Sequence, residues 1–270
     1  MGTNSLKLNL EEKPLIGMIH LPSLTGSITD LEERTRILED ARQDMKILSS
    51  TGFNAILVEN YGDRPFPKYR LDDARFLVFS YIVSRLISEV KIPLGINILR
   101  NACDQALTLA TVTGASFIRC NVWEGAYITD QGIIEGVAYQ VQKRKTELKS
   151  YVKILADIHV KHSTSLGQFT LGEAAQNALI RGKAEAIIVT GRSTGKPISP
   201  SELRELALNS NIKPILGSGL NFENIPSFFP YLSGAIVGTA IKKNPKDLFT
   251  AVDPVKSKRI AQRWISMKNG

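Results

Sequence analysis

Four short runs hold residues whose types and spacing could do chemistry: Gly17-Met-Ile-His20, Val58-Glu59-Asn60, Phe117-Ile-Arg119-Cys-Asn121 and Asp157-Ile-His159-Val-Lys161-His162. Residues two apart share one side of an extended strand, so Asp157, His159 and Lys161 would point the same way. Asp157 and His159 could act as an acid/base pair, the carboxylate fixing the imidazole tautomer. Lys161 could hold an anionic group, or form a Schiff base if burial and Arg119 lowered its pKa. His20, Glu59, Asp157 and His159 are also N/O ligands of the kind divalent metals take, and a metal stays open as a cofactor. No H-x-H or H-E-x-x-H spacing sharpens that choice, and no other cofactor is indicated. His162 adjoins the set.

A second signal comes from small residues. Gly217-Ser218-Gly219 precedes Asn221-Phe-Glu-Asn224, where a helix should start, and Gly238-Thr239 leads into Ala240-Ile-Lys242. Such turns let backbone N–H groups approach a phosphate, and a helix N-terminus adds a favourable dipole. Gly191-Arg-Ser-Thr-Gly195-Lys196-Pro197 is one residue short of a nucleotide P-loop, and Pro197 replaces the magnesium-binding hydroxyl. It reads better as a loop over the site, with backbone N–H groups or Lys196 available to a ligand, or as a plain connector.

Short apolar runs must position these residues. They are Leu15–His20, Ala55–Asn60, Leu94–Ile98, Phe117–Val122, Val152–Val160, Ala186–Thr190, Pro214–Gly217 and Gly234–Gly238. Amphipathic stretches such as Leu31–Ser50, Arg75–Val90, Gln131–Leu148 and Ser201–Leu208 lie between them. The runs recur at about 34-residue intervals, the length a strand, loop and crossover helix need. Ala186-Ile-Ile-Val-Thr190 is apolar on both faces, as a parallel strand covered by helices must be. Eight such units predict an α/β fold, a (β/α)8 TIM barrel in one domain over residues 1–270. A doubly wound open sheet is the structural alternative. Helix punctuation agrees: Asp30 and Ser199-Pro200 suit starts, while Thr51-Gly52, Thr113-Gly114 and Arg181-Gly182 suit ends. Side-chain alternation then sends His20, Glu59, Asn97, Arg119, Asn121, Asp157, His159 and Lys161 toward one funnel at the carboxyl ends of the strands. That is where barrels of this kind carry their sites, with phosphate bound after strands seven and eight.

Composition narrows the function class. The chain has 270 residues, 43% of them hydrophobic, enough for a sizeable core. No run approaches the roughly 18 apolar residues of a membrane span. Met1 to Pro14 is polar without a signal-peptide core, and Leu6 stands where myristoylation wants a hydroxyl. Cys103 and Cys120 are the two cysteines and form no C-x-x-C pair, which fits a reducing cytoplasm and small buried side chains. The formal charge is +8, but Lys242 to Gly270 holds eight basic residues against Asp247 and Asp253, a net +6. Ile260, Ala261, Trp264 and Ile265 form an apolar stripe there, leaving the basic residues largely outward as a solvated face. No nucleic-acid module accompanies them, so no nucleic-acid partner is expected. Barrels often self-associate, which leaves a homo-oligomer open.

The ordered blocks Gly17-Met-Ile-His20-Leu-Pro22, Val58-Glu-Asn60-Tyr-Gly-Asp63-Arg-Pro65-Phe66, Gly95-Ile-Asn97-Ile-Leu-Arg100-Asn101, Phe117-Ile-Arg119-Cys-Asn121, Ala156-Asp157-Ile-His159-Val-Lys161-His162, Gly217-Ser-Gly219 and Ile236-Val-Gly238-Thr resemble the BtpA/SgcQ family over nearly the whole chain. Ala102 stands where the family often has an acidic residue, and Cys120 where it has an aliphatic one. The resemblance implies a ribulose-phosphate-binding type of TIM barrel, but no particular reaction. Two function classes follow. One is an enzyme acting on a small phosphorylated sugar or ribosyl compound by isomerisation, carbon–carbon cleavage or glycosyl transfer. The other is a non-catalytic biogenesis factor, as in photosystem I assembly, acting through partners at the basic C-terminal helix.

Overall fold

The eight apolar runs pair side by side as parallel strands and close on themselves. The computed structural model describes residues 6–159, 163–191 and 198–269. The barrel strands are β1 (Leu15–His20), β2 (Ala55–Glu59), β3 (Leu94–Asn97), β4 (Phe117–Cys120), β5 (Lys153–Ile158), β6 (Ala186–Val189), β7 (Ile215–Leu216) and β8 (Gly234–Val237). Sequence neighbours are barrel neighbours throughout, and closure sets Leu15 opposite Ala235. The helices that follow them are α1 (Leu31–Ser50), α2 (Asp73–Glu89), α3 (Cys103–Thr113), α4 (Ala138–Glu147), α5 (Leu171–Gln176), α6 (Pro200–Ser210), the single turn α7 (Ile225–Phe228) and α8 (Pro254–Asn269).

Alternation separates two cores. Ile16, Met18, Leu57, Phe117, Leu155, Ile188, Ile215 and Ile236 meet in the lumen, and Leu8 joins them. Leu8 donates its N–H to Ser116 Oγ at 2.7 Å, at the amino ends of the strands, so the lumen is plugged from below. The opposite positions, such as Ile56, Val58, Ile96, Ile118, Ile154 and Val189, pack in the larger core with the helices. Gly95 makes room for the widest lumen side chain: a Cβ there would stand 2.2 Å from the Phe117 ring. With the lower lumen filled by hydrocarbon, polar residues are left at the upper ends of the strands.

Helix ends follow their sequence signals. Asp30 accepts from the N–H groups of Glu32 and Glu33 at 2.9 and 3.0 Å, Gly114 takes φ +84° after α3, and Ser199 and Glu202 cap α6 reciprocally. Asp30→Ala removes the acceptor of two orphan donors, for an expected loss of about 1 kcal/mol. Thermal unfolding should then move down by roughly 2–4 °C; an unchanged midpoint would show that the cap contributes nothing.

The stretch Gln131–Leu148 departs from expectation. Its helix starts only at Ala138; Ala126–Thr129 and Gly132–Glu135 form a hairpin that Ser163–Ser165 extends to three antiparallel strands. Gly132, at φ +87°, closes the turn that ordinary residues resist. In the tail, Ile260, Ala261 and Trp264 are buried as the stripe requires, whereas Ile265 is exposed. Lys242 is not outward at all. It lies buried against Asp44 of α1, with Nζ 3.0 Å from Oδ2, while Asp44 Oδ1 accepts the Val252 N–H at 2.7 Å. Among the described residues, no helix is long and apolar enough to cross a membrane.

Candidate active site at the carboxyl ends of the strands

A cavity of about 600 Å³ opens above the lumen core. His20, Glu59, Arg119, Asn121 and Asp157 line it on one part of the rim, and Gly217, Ser218, Gly219, Gly238 and Thr239 on another. His20, Glu59, Arg119 and Asp157 each sit one step beyond a lumen hydrophobe of their own strand: Met18, Leu57, Phe117 and Leu155. Asn97, 1% exposed, lies beneath the lining and donates from Nδ2 to Glu59 Oε2 at 2.5 Å.

Asp157 is the most heavily engaged acceptor. Arg119 Nε lies 3.1 and 3.2 Å from its two oxygens, Arg119 Nη2 3.0 Å from Oδ2, and Asn121 Nδ2 2.7 Å from Oδ2. Burial disfavours the Arg119 charge, but Asp157 and then Glu59 outweigh it and hold that guanidinium's pKa above the usual arginine value. Glu59 behaves oppositely. Burial pushes its carboxyl up, with Asp157 adding repulsion, against the pull of Arg119 and Asn97. Two carboxyl groups around one arginine therefore differ in character: Asp157 is locked by several donors, whereas Glu59 holds a proton to higher pH.

The small-residue side is shaped by close backbone approach. A Cβ on Gly217 would stand 2.5 Å from both Ile188 Cγ2 and Thr190 Cγ2, and one on Gly238 2.8 Å from His20 Cε1. The short turn Thr239–Ile241 begins its own bonds with Ile241 N–H donating to Gly238 O at 3.2 Å. The N–H groups of Thr239 and Ala240 precede that bond, as at any helix start. Tyr61 stands edge-on to His20 at 5.2 Å between ring centroids, and the Arg64 guanidinium lies 4.0 Å from the Tyr61 centroid.

His159 is not brought to this cavity. The strand ends at Ile158, His159 takes φ +52°, and alternation stops with it. Its exposed side chain lines a separate outer cavity of about 660 Å³, with residues of α5 and α6 such as Glu173 and Leu206. Lys161, His162 and residues 192–197, including Lys196, lie outside the described residues. The metal set His20, Glu59, Asp157 and His159 does not assemble, because His159 faces elsewhere and Asp157 is occupied by Arg119 and Asn121. Among the described residues, no three His, Cys, Asp or Glu are grouped to hold a metal ion.

Sequence reasoning missed Thr190, Arg100, Arg64 and Asp130, which also line the cavity. Thr190 had a signal, since it shares parity with lumen-facing Ile188. Asp130 had none, because it arrives on the unexpected hairpin. Other residues of the ordered blocks form scaffold. Asn60 Oδ1 accepts the Leu99 N–H at 2.8 Å, and Asn101 bonds both the N–H and C=O of Val122, each at 2.9 Å. Buried Cys103 donates to Asn101 Oδ1 at 3.3 Å, and burial pushes the Cys120 thiol up.

The BtpA family model matches residues 11–265. The chain belongs to the BtpA family. An uncharacterized protein of Thermococcus kodakarensis is 40% identical over 240 residues, covering 88% of this chain and 90% of its own. The photosystem I biogenesis protein BtpA of Synechocystis is 40% identical over 245 residues, covering 90% and 85%. A Caenorhabditis elegans protein is 30% identical, covering 87% and 88%. Among solved structures, thiamine phosphate pyrophosphorylase from Pyrococcus furiosus aligns with a TM-score of 0.57 at 12% identity, covering 96% of this chain and 98% of its own. N-(5'-phosphoribosyl)anthranilate isomerase from the same organism aligns at 0.57 with 14% identity, covering 94% and 99%. These likenesses establish the barrel fold.

Proposed function

We propose that the protein is an enzyme acting on a small phosphorylated sugar or ribosyl compound. The observation that carries this reading is the pairing of a buried, proton-retaining Glu59 beside the Arg119–Asp157 pair with small-residue turns across one cavity. The phosphate binds at the turns Gly217–Gly219 and Gly238–Thr239, which line the cavity where the fold's recurrent phosphate site lies. The Gly217 N–H is given to Val189 O at 2.7 Å, so the donors come from the residues after it. The reacting carbon lies near Glu59 and Arg119. Glu59 gives or takes the proton, Arg119 stabilises developing negative charge, and Asp157 holds Arg119 in place. His20, beside Gly238, lies between the two halves. Structural neighbours named for a phosphorylated thiamine and a phosphoribosyl compound support the assignment by analogy of fold.

The test is thermal unfolding against a panel of sugar phosphates. A ligand at about 100 times its dissociation constant adds about 2.7 kcal/mol, several degrees at this size. Ser218→Asp, which sets a carboxylate among the phosphate donors, should abolish the shift. No shift across a broad panel would overturn the reading.

The Synechocystis relative is named as a photosystem I biogenesis protein, which favours a second reading, assembly, for which the basic helix α8 would be the partner surface in this chain. That surface is partly committed to the fold. Lys256 Nζ donates to the Lys242 and Lys243 carbonyls at 2.9 and 3.1 Å, and the Arg259 guanidinium stacks 3.9 Å from the Phe222 centroid. The family also reaches Caenorhabditis elegans, an animal without a photosystem, so a shared chemistry explains the cavity better.

A further inference from the structure

The turn after β7 holds a run of backbone donors between two that are already engaged. The Gly217 N–H is given to Val189 O at 2.7 Å, and the Asn221 N–H to Asn224 Oδ1 at 2.8 Å. Between them, the N–H groups of Ser218, Gly219 and Leu220 donate to no acceptor among the described residues. Gly219 has φ +82°, and successive N–H groups around a left-handed residue form a concavity that suits an anion. Leu220 is 2% exposed and packs its side chain in the outer core with the helices, yet it also lines the cavity. It is therefore the backbone side of Leu220 that meets the cavity.

The direction of the Leu220 N–H is set from behind the turn. Asn224 Nδ2 donates to Gly219 O at 2.8 Å, while its Oδ1 accepts the Asn221 N–H. Asn221 Oδ1 accepts the Asn224 N–H at 2.9 Å in return. Both ends of the Asn224 amide are thus used on the turn, which fixes its orientation. The Gly219–Leu220 peptide is trans, and the C=O and N–H of a trans peptide point to opposite sides. Gly219, Leu220 and Asn221 line the cavity, whereas Asn224 does not. A carbonyl held toward Asn224 therefore turns the Leu220 N–H toward the cavity. Released from that hold, the peptide could flip, because glycine permits rotations that other residues resist. The flipped peptide would present an oxygen to the anion in place of a donor.

We infer that Asn224 is a positioning residue of the anion site: by holding the Gly219 carbonyl behind the turn, it aims the Leu220 N–H at the phosphate. This rests on the phosphate reading above. It adds a neutral side chain outside the cavity, which neither charge nor contact with a ligand would single out.

The experiment labels the protein with carbonyl-13C glycine and 15N leucine. Gly219-Leu220 is the one Gly-Leu step in the sequence, so Leu220 alone gives an amide signal with one-bond coupling between the two labels. Inorganic phosphate and ribose 5-phosphate are the probes, with affinities from isothermal titration. In the parent protein the Leu220 signal should move downfield as either probe binds. Asn224→Ala should weaken both by about 10-fold and lose most of the Leu220 shift at saturation. Asp30→Ala, which removes the α1 cap, controls for lost stability alone. It should change affinity by less than about twofold and keep the full shift. Binding to the parent protein without movement of the Leu220 signal would overturn the inference and leave the phosphate site standing; that result needs no variant. A full Leu220 shift in Asn224→Ala would overturn it as well, whatever the affinity. Silence from both probes would remove the phosphate site itself, and this inference with it.

Discussion

Asp157→Ala is expected to destabilise the protein by about 3–5 kcal/mol, because it leaves the Arg119 guanidinium buried without its partner. Arg119 is 8% exposed and directs its bonds at Asp157, three of them within 3.2 Å. The substitution also strands Asn121 Nδ2, whose acceptor is Asp157. Part of the loss is offset nearby. Asp157 repels charge on Glu59, so its removal lets Glu59 ionise more readily and compensate Arg119. For a chain of this size the midpoint of thermal unfolding should fall by roughly 6–20 °C. The decisive comparison is the double variant Asp157→Ala with Arg119→Met. Removing both charges of a buried pair is far less costly than removing one, so the double variant should recover much of the loss. A double variant no more stable than Asp157→Ala would mean that the lost stability comes from packing and not from an uncompensated charge.

The sequence foretells the barrel because its strands repeat one alternation. Leu57 then Glu59, or Leu155 then Asp157, places a hydrocarbon in the lumen and a polar group one step higher; five strands do this, while β3 sets Gly95 below Asn97 and β7 and β8 set a glycine above Ile215 and Ile236. The same alternation carries Arg119 to the site. It fails at His159, because alternation holds only while the backbone stays extended, and the left-handed turn at this residue redirects its side chain. It also fails at Ile133-Ile134, two apolar residues that fit a helix or a strand equally well until Gly132 closes a hairpin. Asp130 reaches the cavity by that hairpin, so its role depends on a pairing with no local trace. The division of labour between Glu59 and Asp157 is likewise unreadable in one dimension. Both are acidic residues at strand ends, and only the placement of Arg119, Asn121 and Asn97 around them separates their characters.

That separation predicts an unusual pH response for Glu59→Gln. The native carboxyl has its pKa raised above the ordinary glutamate value, chiefly by burial. Below the ordinary value, both folded and unfolded chains hold the proton, and Glu59 contributes no pH dependence. Between the ordinary value and the raised one, only the folded chain holds it, so the native state binds more protons and stability falls as pH rises. Above the raised value the loss is complete and the contribution is flat again. Glutamine resembles the protonated form and cannot ionise, so the variant should lack this slope. Its stability relative to the parent protein should therefore increase with pH across that window. The amide of Asn97 accommodates the neutral form. A protonated Glu59, or a glutamine, can donate to Asn97 Oδ1 once that amide turns over, and this oxygen has no other partner among the described residues. Denaturant unfolding of both proteins from about pH 4 to about pH 9 measures the difference directly. A constant difference would show that Glu59 titrates alike in both states and is no proton reservoir. On a turned-over substrate the same variant should lose roughly 10²–10⁴-fold in rate, the usual contribution of a positioned acid or base. Higher stability joined to lost turnover would identify Glu59 as a group whose ionisation the fold resists and the chemistry requires.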